Sequence, residues 1–446
     1  MFTKLMDEVI NRGICTHCGT CVGLSEGLLT FKRTSRGPIP ALVHPNSTDI
    51  VEAAYSACPG KGLDYPRLNE SVFGTHPKSW LTGVVQGFYI SYSLDQNVRR
   101  AGASGGVITQ ILIYLLDQGL IDGAVVLKHG DPKPWLASPI IATTPEEIIA
   151  AAQSVYSPTP VNTILAEMER FQGNLAYVGL PDQVASLRVL QEFGHPGAKK
   201  VRYVIGPYTG TSTYLAAIES YLRSNGVSGL DQIEKLRYRE GEWPGHLYIR
   251  TREGLEFRLD KFYYNYLIPF FITQTSLLAV DFTNELTDLS VGDAWSPEFE
   301  AKGDGYSVVI TRSDLGDQLL REMASRDQIH LETLEPEDAL SMHGHMFDFK
   351  KRGAFIRSTW RRAIGLPSPS YGYEPASIAI SRYLVEAVIS LVFAICRTEF
   401  SRKIIEKVPI KLIGPAFNLM RKSWKMISKP SKRKGLLQMK FTIDEV

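Results

Sequence analysis

Phe88-Tyr89-Ile90-Ser91-Tyr92-Ser93-Leu94 is followed by Arg99-Arg100-Ala101-Gly102-Ala103-Ser104-Gly105-Gly106 and then by a largely apolar run from Val107 to Gln118. The first seven residues alternate as a half-buried strand does. The glycine-rich run reads as a tight turn. The run after it reads as a helix that stops at Gly119, a residue suited to a helix C-terminus. Ala124-Val125-Val126-Leu127 supplies another strand. Strand, glycine loop, helix and strand in that order make an α/β unit. Working outward, the pattern predicts helices at 145–153, 161–171, 182–193 and 211–224, with strands at 175–178 and 201–206. Beyond about residue 235 it turns to strands, at 247–251, 255–259, 286–292 and 306–311. Residues 81–350 thus read as one α+β catalytic body.

Upstream lies a cysteine cluster. Residues 14–22 read Ile-Cys-Thr-His-Cys-Gly-Thr-Cys-Val, and Ala57-Cys58-Pro59-Gly60 follows later. Cys-x-x-Cys-x-x-Cys puts three thiolates on one tight loop, and a distant Cys before Pro completes a set of four. Cys15, Cys18, Cys21 and Cys58 are therefore expected to bind one four-iron–four-sulfur cluster. A zinc site prefers two Cys-x-x-Cys pairs, or Cys with His at finger spacing. His17 lies inside the triplet but is a poorer fit than Cys18. The fifth cysteine, Cys396, sits in an apolar run and reads as a packed thiol. Residues 1–80 have little core of their own, so the metal is expected to supply much of their folding energy.

The turn at Gly102–Gly106 has two readings. Feeding a helix N-terminus, it suits an anion, because small residues let the backbone approach and the helix dipole favours negative charge. Arg99 and Arg100 add cations, and Ser104 offers a hydroxyl to a ligand or to the helix end. The plain reading is a tight turn with no ligand. The run departs from both Gly-x-Gly-x-x-Gly and the P-loop pattern.

The overall charge of +2 hides an asymmetry. Residues 397–434 hold twelve Lys or Arg against Glu399 and Glu406, a local balance of +10, so the rest of the chain carries about −8. Tyr383 to Cys396 is apolar apart from Glu386, too short to span a bilayer, and reads as a buried or interfacial helix. Helices are expected at 376–396, 400–407 and 413–427. The mix of Trp, Met, Leu and cations between Phe417 and Lys434 fits an anionic membrane surface or an acidic partner. No nucleic-acid-binding fold accompanies the charge. Met1 to Gly13 has no secretory apolar core, so a cytoplasmic protein, peripheral at the membrane through this tail, is expected.

Several short motifs in fixed order resemble the coenzyme F-420 hydrogenase/dehydrogenase beta-subunit family across roughly residues 10–365. They are the cysteine motif, the loop Ala101 to Thr109, Ser154-Val155-Tyr156-Ser157-Pro158, and Gly179-Leu180-Pro181-Asp182-Gln183. Tyr238-Arg239 with Trp243-Pro244-Gly245, Asp288 to Trp295, and Gly305 to Val309 complete the set. The resemblance implies FAD in the central domain, held at Arg100, Gly102, Ala103, Ser104, Gly105 and Gly106, and electron passage between cluster, flavin and substrate. It also implies further central-domain cysteines, which are missing here. Asp182, Tyr208-Thr209-Gly210 and Thr273 to Val280 stand at those positions, so a second cluster is not expected. Asp182 is read first as a helix N-terminal residue accepting backbone N–H bonds, and alternatively as a proton donor at the flavin face. Asp293 and Trp295 are read as either a packed strand end or a substrate-orienting pair.

The expected architecture is α+β. A small ferredoxin-like iron–sulfur domain (1–80) precedes a mixed α/β flavin-binding domain (81–350), a linker and a basic helical tail (351–446). The expected function is an iron–sulfur flavoprotein oxidoreductase served by a ferredoxin-like donor or a redox partner subunit. Its substrate would be a deazaflavin coenzyme or a small metabolite. The competing reading is a non-catalytic electron-transfer or assembly subunit docked to a membrane partner.

Overall fold

A computed structural model of the chain describes residues 2–44, 52–260 and 263–444. Its centre is an eight-stranded mixed sheet. Four strands lie parallel: Gly123–His129, Leu175–Val178, Val201–Pro207 and Leu289–Asp293. They are buried and rich in Val, Ile, Leu and Ala, as strands covered on both faces must be. Antiparallel strands flank them. Ala137–Ala142 pairs with 123–129 at one edge. At the other, Ser307–Thr311 pairs with 289–293, then Gly87–Ser93, then Ile329–Thr333. The first strand in sequence therefore lies second from the far edge of the sheet.

The helix predicted after the glycine loop runs from Val107 to Asp117, with Gly119 in the left-handed conformation just past its end. Pro181–Glu192 covers a face of the parallel strands with Val184, Leu187 and Leu190. A separate three-stranded sheet is formed by Ile233–Glu240, His246–Thr251 and Glu256–Asp260. The predicted helix 211–224 is shorter, Ala216–Ser224. Before it, Thr213 makes an isolated bridge to Ile272 that holds the chain extended.

Among the described residues, the first 80 do not build a core of their own. One hydrophobic cluster joins Leu5, Val9, Leu29 and Leu68 to Val125, Leu187 and Val204 of the sheet layer and to Phe355 and Tyr373 further on. The N-terminal segment thus draws its burial from the central body.

Past 350 the chain also returns to the body. Ala354–Ala363 is helical, with Phe355 and Ile356 buried. Helices Ile380–Cys396, Glu399–Lys407 and Ile410–Arg433 follow. The end of the chain comes back as Phe441–Ile443, paired antiparallel with Tyr373–Pro375. Among the described residues no helix is long and apolar enough to cross a membrane.

Candidate functional site

The cysteine triplet occupies a loop that reverses sharply. His17 and Gly19 have φ of 63° and 97°. The loop is clamped on residues 160–163: a Cβ at Gly19 would lie 2.8 Å from the Pro160 carbonyl oxygen, so only glycine fits. The amide of Asn162 donates to the Cys18 carbonyl at 2.9 Å. Helix 181–192 ties the two halves of the cysteine set together through Ser186. Its hydroxyl lies 2.6 Å from that of Thr20, beside Cys21, and donates to the carbonyl of Ala57, beside Cys58, at 2.7 Å. The Asn162 side chain braces Thr20 as well, at 2.9 Å. His17 turns away to pair with the Pro38 carbonyl at 2.7 Å.

Cys15, Cys18, Cys21 and Cys58 line one cavity with Leu5 and Val9. All four are free thiols. Nearby backbone N–H groups favour each thiolate, those of His17 at Cys15, Thr20 at Cys18, Val22 at Cys21, and Gly60 and Lys61 at Cys58, and the Thr20 hydroxyl lies 3.4 Å from the Cys18 sulfur. Burial pushes all four thiols up, and repulsion from neighbouring cysteines adds to it at Cys15, Cys18 and Cys21. A cage of N–H donors around sulfurs that repel one another is suited to thiolates that share a positive charge. Among the described residues, no three His, Cys, Asp or Glu side chains are grouped to hold a single metal ion. A mononuclear zinc ion needs thiolates converging to ~2.3 Å from one point.

Next to this cage is a second cavity, lined by Thr16, Gly60, Asp182, Gln274, Thr275 and Asp281 among others. Two of the segments where the resemblance implied cysteines, at 182 and 273–280, therefore meet here. Tyr208 does not join them and packs against Phe282 and His343 instead. Asp182 lies in the first turn of helix 181–192. Burial raises its carboxyl to about 6, opposed by the nearby Thr16 hydroxyl and the helix's own first-turn N–H groups. Around the cavity is a wholly buried ionic network. Lys351 meets Glu285 at 2.5 Å and the Tyr373 hydroxyl at 2.6 Å. Lys350 donates to the Ser276 carbonyl at 3.0 Å. Burial lowers Lys350 to about 7 and raises Glu285 to about 7. Both lysines lie in a π-helical turn, Phe349–Gly353. Nothing in the sequence pattern marked them, since Lys350-Lys351-Arg352 reads as a solvated basic run.

The glycine loop is latched to the sheet. The Ser104 hydroxyl donates to the Tyr306 carbonyl at 2.6 Å and accepts from Ser307 at 3.2 Å. The Gly105 amide donates to Ser307 Oγ at 3.1 Å. A Cβ on Gly105 would stand 2.8 Å from the Ser91 carbonyl oxygen, and one on Gly102 would stand 2.7 Å from Gly106 Cα. The glycines are thus required by packing, and the residue preceding helix 107–117 is Gly106, with no side-chain cap. Arg99 is consumed internally, donating to the Gly305 carbonyl and stacking on Tyr92 at 3.9 Å. Arg100 reaches solvent, 3.9 Å from Glu242. The donors suited to an anion are Arg100 and the first-turn N–H groups of the helix, which have no acceptor within it.

Beyond Glu242 the other motif residues converge. Arg239 grips Asp293 at 2.9 Å and donates to the Pro244 carbonyl at 3.0 Å. The Trp243 indole donates to Asp293 at 3.2 Å, and its ring lies 4.9 Å from that of Trp295. His343 contacts the Asp293 carbonyl at 2.8 Å. Tyr156 lies beside Arg239; burial raises its pKa, while the Arg239 charge favours its phenolate. Sequence reading left Asp293 and Trp295 open and named Arg239 only as part of a motif, without the anchoring role it has in this group.

Fold and site together define a mixed α/β protein with a four-cysteine cage braced on its central helix and a latched glycine loop at its sheet. The chain belongs to the coenzyme F420 hydrogenase/dehydrogenase beta-subunit family: residues 88–166 match its N-terminal model and 172–337 its C-terminal model. It is 26% identical over 350 residues to a coenzyme F420-dependent sulfite reductase of Methanocaldococcus jannaschii, covering 75% of this chain and 50% of that one. It is 26% identical over 288 residues to a coenzyme F420 hydrogenase subunit beta of Methanothermobacter thermautotrophicus, covering 62% of this chain and 95% of that one. A chain of the F420-reducing [NiFe] hydrogenase complex from Methanosarcina barkeri shares the fold. The TM-score is 0.53 at 21% identity, covering 66% of this chain and 98% of that one. The chain thus spans half the length of the sulfite reductase and nearly all of the hydrogenase subunit.

Proposed function

We propose that the chain is an iron–sulfur flavoprotein oxidoreductase. The observation that carries this reading is the single cavity that all four cysteines line, with backbone N–H groups nearby that favour each thiolate. A four-iron–four-sulfur cluster on Cys15, Cys18, Cys21 and Cys58 supplies one-electron exchange, and FAD at the glycine loop supplies both one-electron and hydride chemistry. The chain's own residues have distinct tasks. Ser186, Thr20 and Asn162 hold the triplet and Cys58 in fixed relation. Gly102, Ala103, Ser104, Gly105 and Gly106 shape the loop, and Arg100 offers a cation to a phosphate. Arg239 keeps Asp293 oriented, and Trp243 and Trp295 pack beside that carboxylate. The substrate is a deazaflavin coenzyme, which the relatives' names point to, or a small metabolite. Electrons are exchanged with a ferredoxin-like donor or a partner subunit.

Anaerobically purified protein is expected to show broad iron–sulfur absorbance with flavin bands, and to release FAD on denaturation. Iron without flavin defeats the flavoprotein reading, and absence of both defeats the proposal. Cys18→Ser should abolish the broad absorbance. Iron retained at wild-type stoichiometry would contradict the four-ligand assignment. Loaded protein that oxidises no reduced deazaflavin coenzyme with a one-electron acceptor favours the electron-transfer subunit.

A further inference from the structure

Helix 380–396 is built inside out. Its only charged residues are Arg382 and Glu386, and both side chains are fully buried. Arg382 meets Asp348 at 2.8 Å and Glu386 at 2.8 Å, while Glu386 also meets Arg357 at 2.5 Å. Ile380, Leu384, Val388, Leu391 and Ile395 lie on the opposite face, with Ile380 81%, Leu384 67% and Leu391 60% exposed. At 100° per residue these five fall within a sector of about 80°. The ionic network therefore fixes which way the helix faces and turns its apolar stripe outward. A water-soluble surface helix does the reverse.

Helix 410–433 packs beside it and continues the surface. Leu412, Leu419 and Met426 recur every seven residues on its outer face and are all exposed. Lys411, Lys422 and Lys429 form a row along one flank of that stripe. Phe400 and Ile404 of the helix between are exposed too. Glu399 and Glu406, the acidic residues among the twelve cations of this tail, are held by Lys403 and Arg223. Trp360 and Tyr383 touch at the edge of helix 380–396. An apolar stripe flanked by lysines long enough to reach up from it, with aromatic rings at the border, matches the boundary between lipid chains and anionic headgroups. A second copy of the chain would bring one lysine row against another, which disfavours self-pairing on this face.

We propose that helices 380–396 and 410–433 lie in the surface of an anionic lipid bilayer, with Leu384, Leu391, Leu419 and Met426 entering the acyl region and the lysine row meeting the headgroups. The proposal stands independently of the redox reading. Full-length protein should co-sediment with phosphatidylcholine vesicles containing about one third phosphatidylglycerol, partitioning at least about tenfold more strongly than to phosphatidylcholine alone. Added salt should weaken the anionic partitioning towards the neutral level. Leu384→Glu with Leu391→Glu should reduce partitioning about tenfold or more at an unchanged thermal midpoint, since both sites are already exposed to water. Lys411→Gln with Lys422→Gln and Lys429→Gln should remove the preference for anionic lipid. Wild-type protein that stays in the supernatant with both vesicle types overturns the proposal. So does a Leu384→Glu/Leu391→Glu variant that partitions like wild type. A wild-type dimer by light scattering that this variant converts to monomer would give the face to a second copy instead.

Discussion

Lys351 and Glu285 share a pocket with no solvent exposure on either side chain. Deleting one member strands the other charge in a low-dielectric interior, which costs about 3–5 kcal/mol. Lys351→Met should show that loss in chemical denaturation, and Lys351→Met with Glu285→Gln should recover a measurable part of it. His129 offers a test of opposite character. Burial, reinforced by Arg237, lowers its imidazole to about 4, and the ring pairs with the Ala152 carbonyl at 3.0 Å. The folded state thus binds fewer protons than the unfolded state between about 6.5 and 4. This contribution to stability is complete above the unfolded value and is lost as pH falls through the folded one. For a half-buried ring it amounts to ~1–2 kcal/mol after solvent screening. His129→Gln should therefore lose stability less steeply than wild type between pH 6.5 and 4. Of the site residues, the cysteines were legible because their spacing is itself the chemistry. Ser186 and Asn162 were not, since a lone Ser or Asn acquires its bracing role only from partners more than 100 positions away.

At the level of the element, the glycine loop depends on Gly106, whose φ is +72° and whose missing Cβ would lie 2.8 Å from the Val98 carbonyl oxygen. Gly106→Ala should cost about 2 kcal/mol from the left-handed backbone alone. It should also perturb the near-ultraviolet circular dichroism of Tyr92 and Tyr306, whose rings pack at 5.1 Å beside the loop. An unchanged spectrum and midpoint would show that the turn tolerates a side chain. Periodicity located most helices and the parallel strands to within a few residues, because those segments carry their hydrophobic pattern locally. It missed the edge strands 137–142 and 329–333, whose pairing depends on the sheet rather than on their own sequence. Helix 380–396 was found but its orientation was not. Hydropathy tells which face is apolar, and only the partners Asp348 and Arg357 tell which face is turned inward.

For the whole molecule, the shared core changes what loss of the cysteine cage should do. The short N-terminal segment suggested a unit folded mainly by its metal, yet Leu5, Val9 and Leu29 are buried in the cluster that also holds Val204 and Phe355. Cys18→Ser is therefore expected to keep the far-ultraviolet circular dichroism of the wild type and a single cooperative transition. Independent melting of residues 1–80, detected by hydrogen exchange, would contradict this. The three-domain division expected from composition reflects real changes of texture along the chain, whereas packing joins those parts through contacts that composition cannot register. The return of strand 441–443 to Tyr373–Pro375 has a separate consequence. Phe441 packs on Tyr373, which has no exposure, and Arg352 binds the Lys434 carbonyl at 3.0 Å. The three helices between are stitched at both ends, so they form a rigid keel and cannot trail as a free arm. Whatever the keel rests on fixes the roll and pitch of the entire body, and trimming the chain from its end would unseat a core tyrosine before it removed the keel.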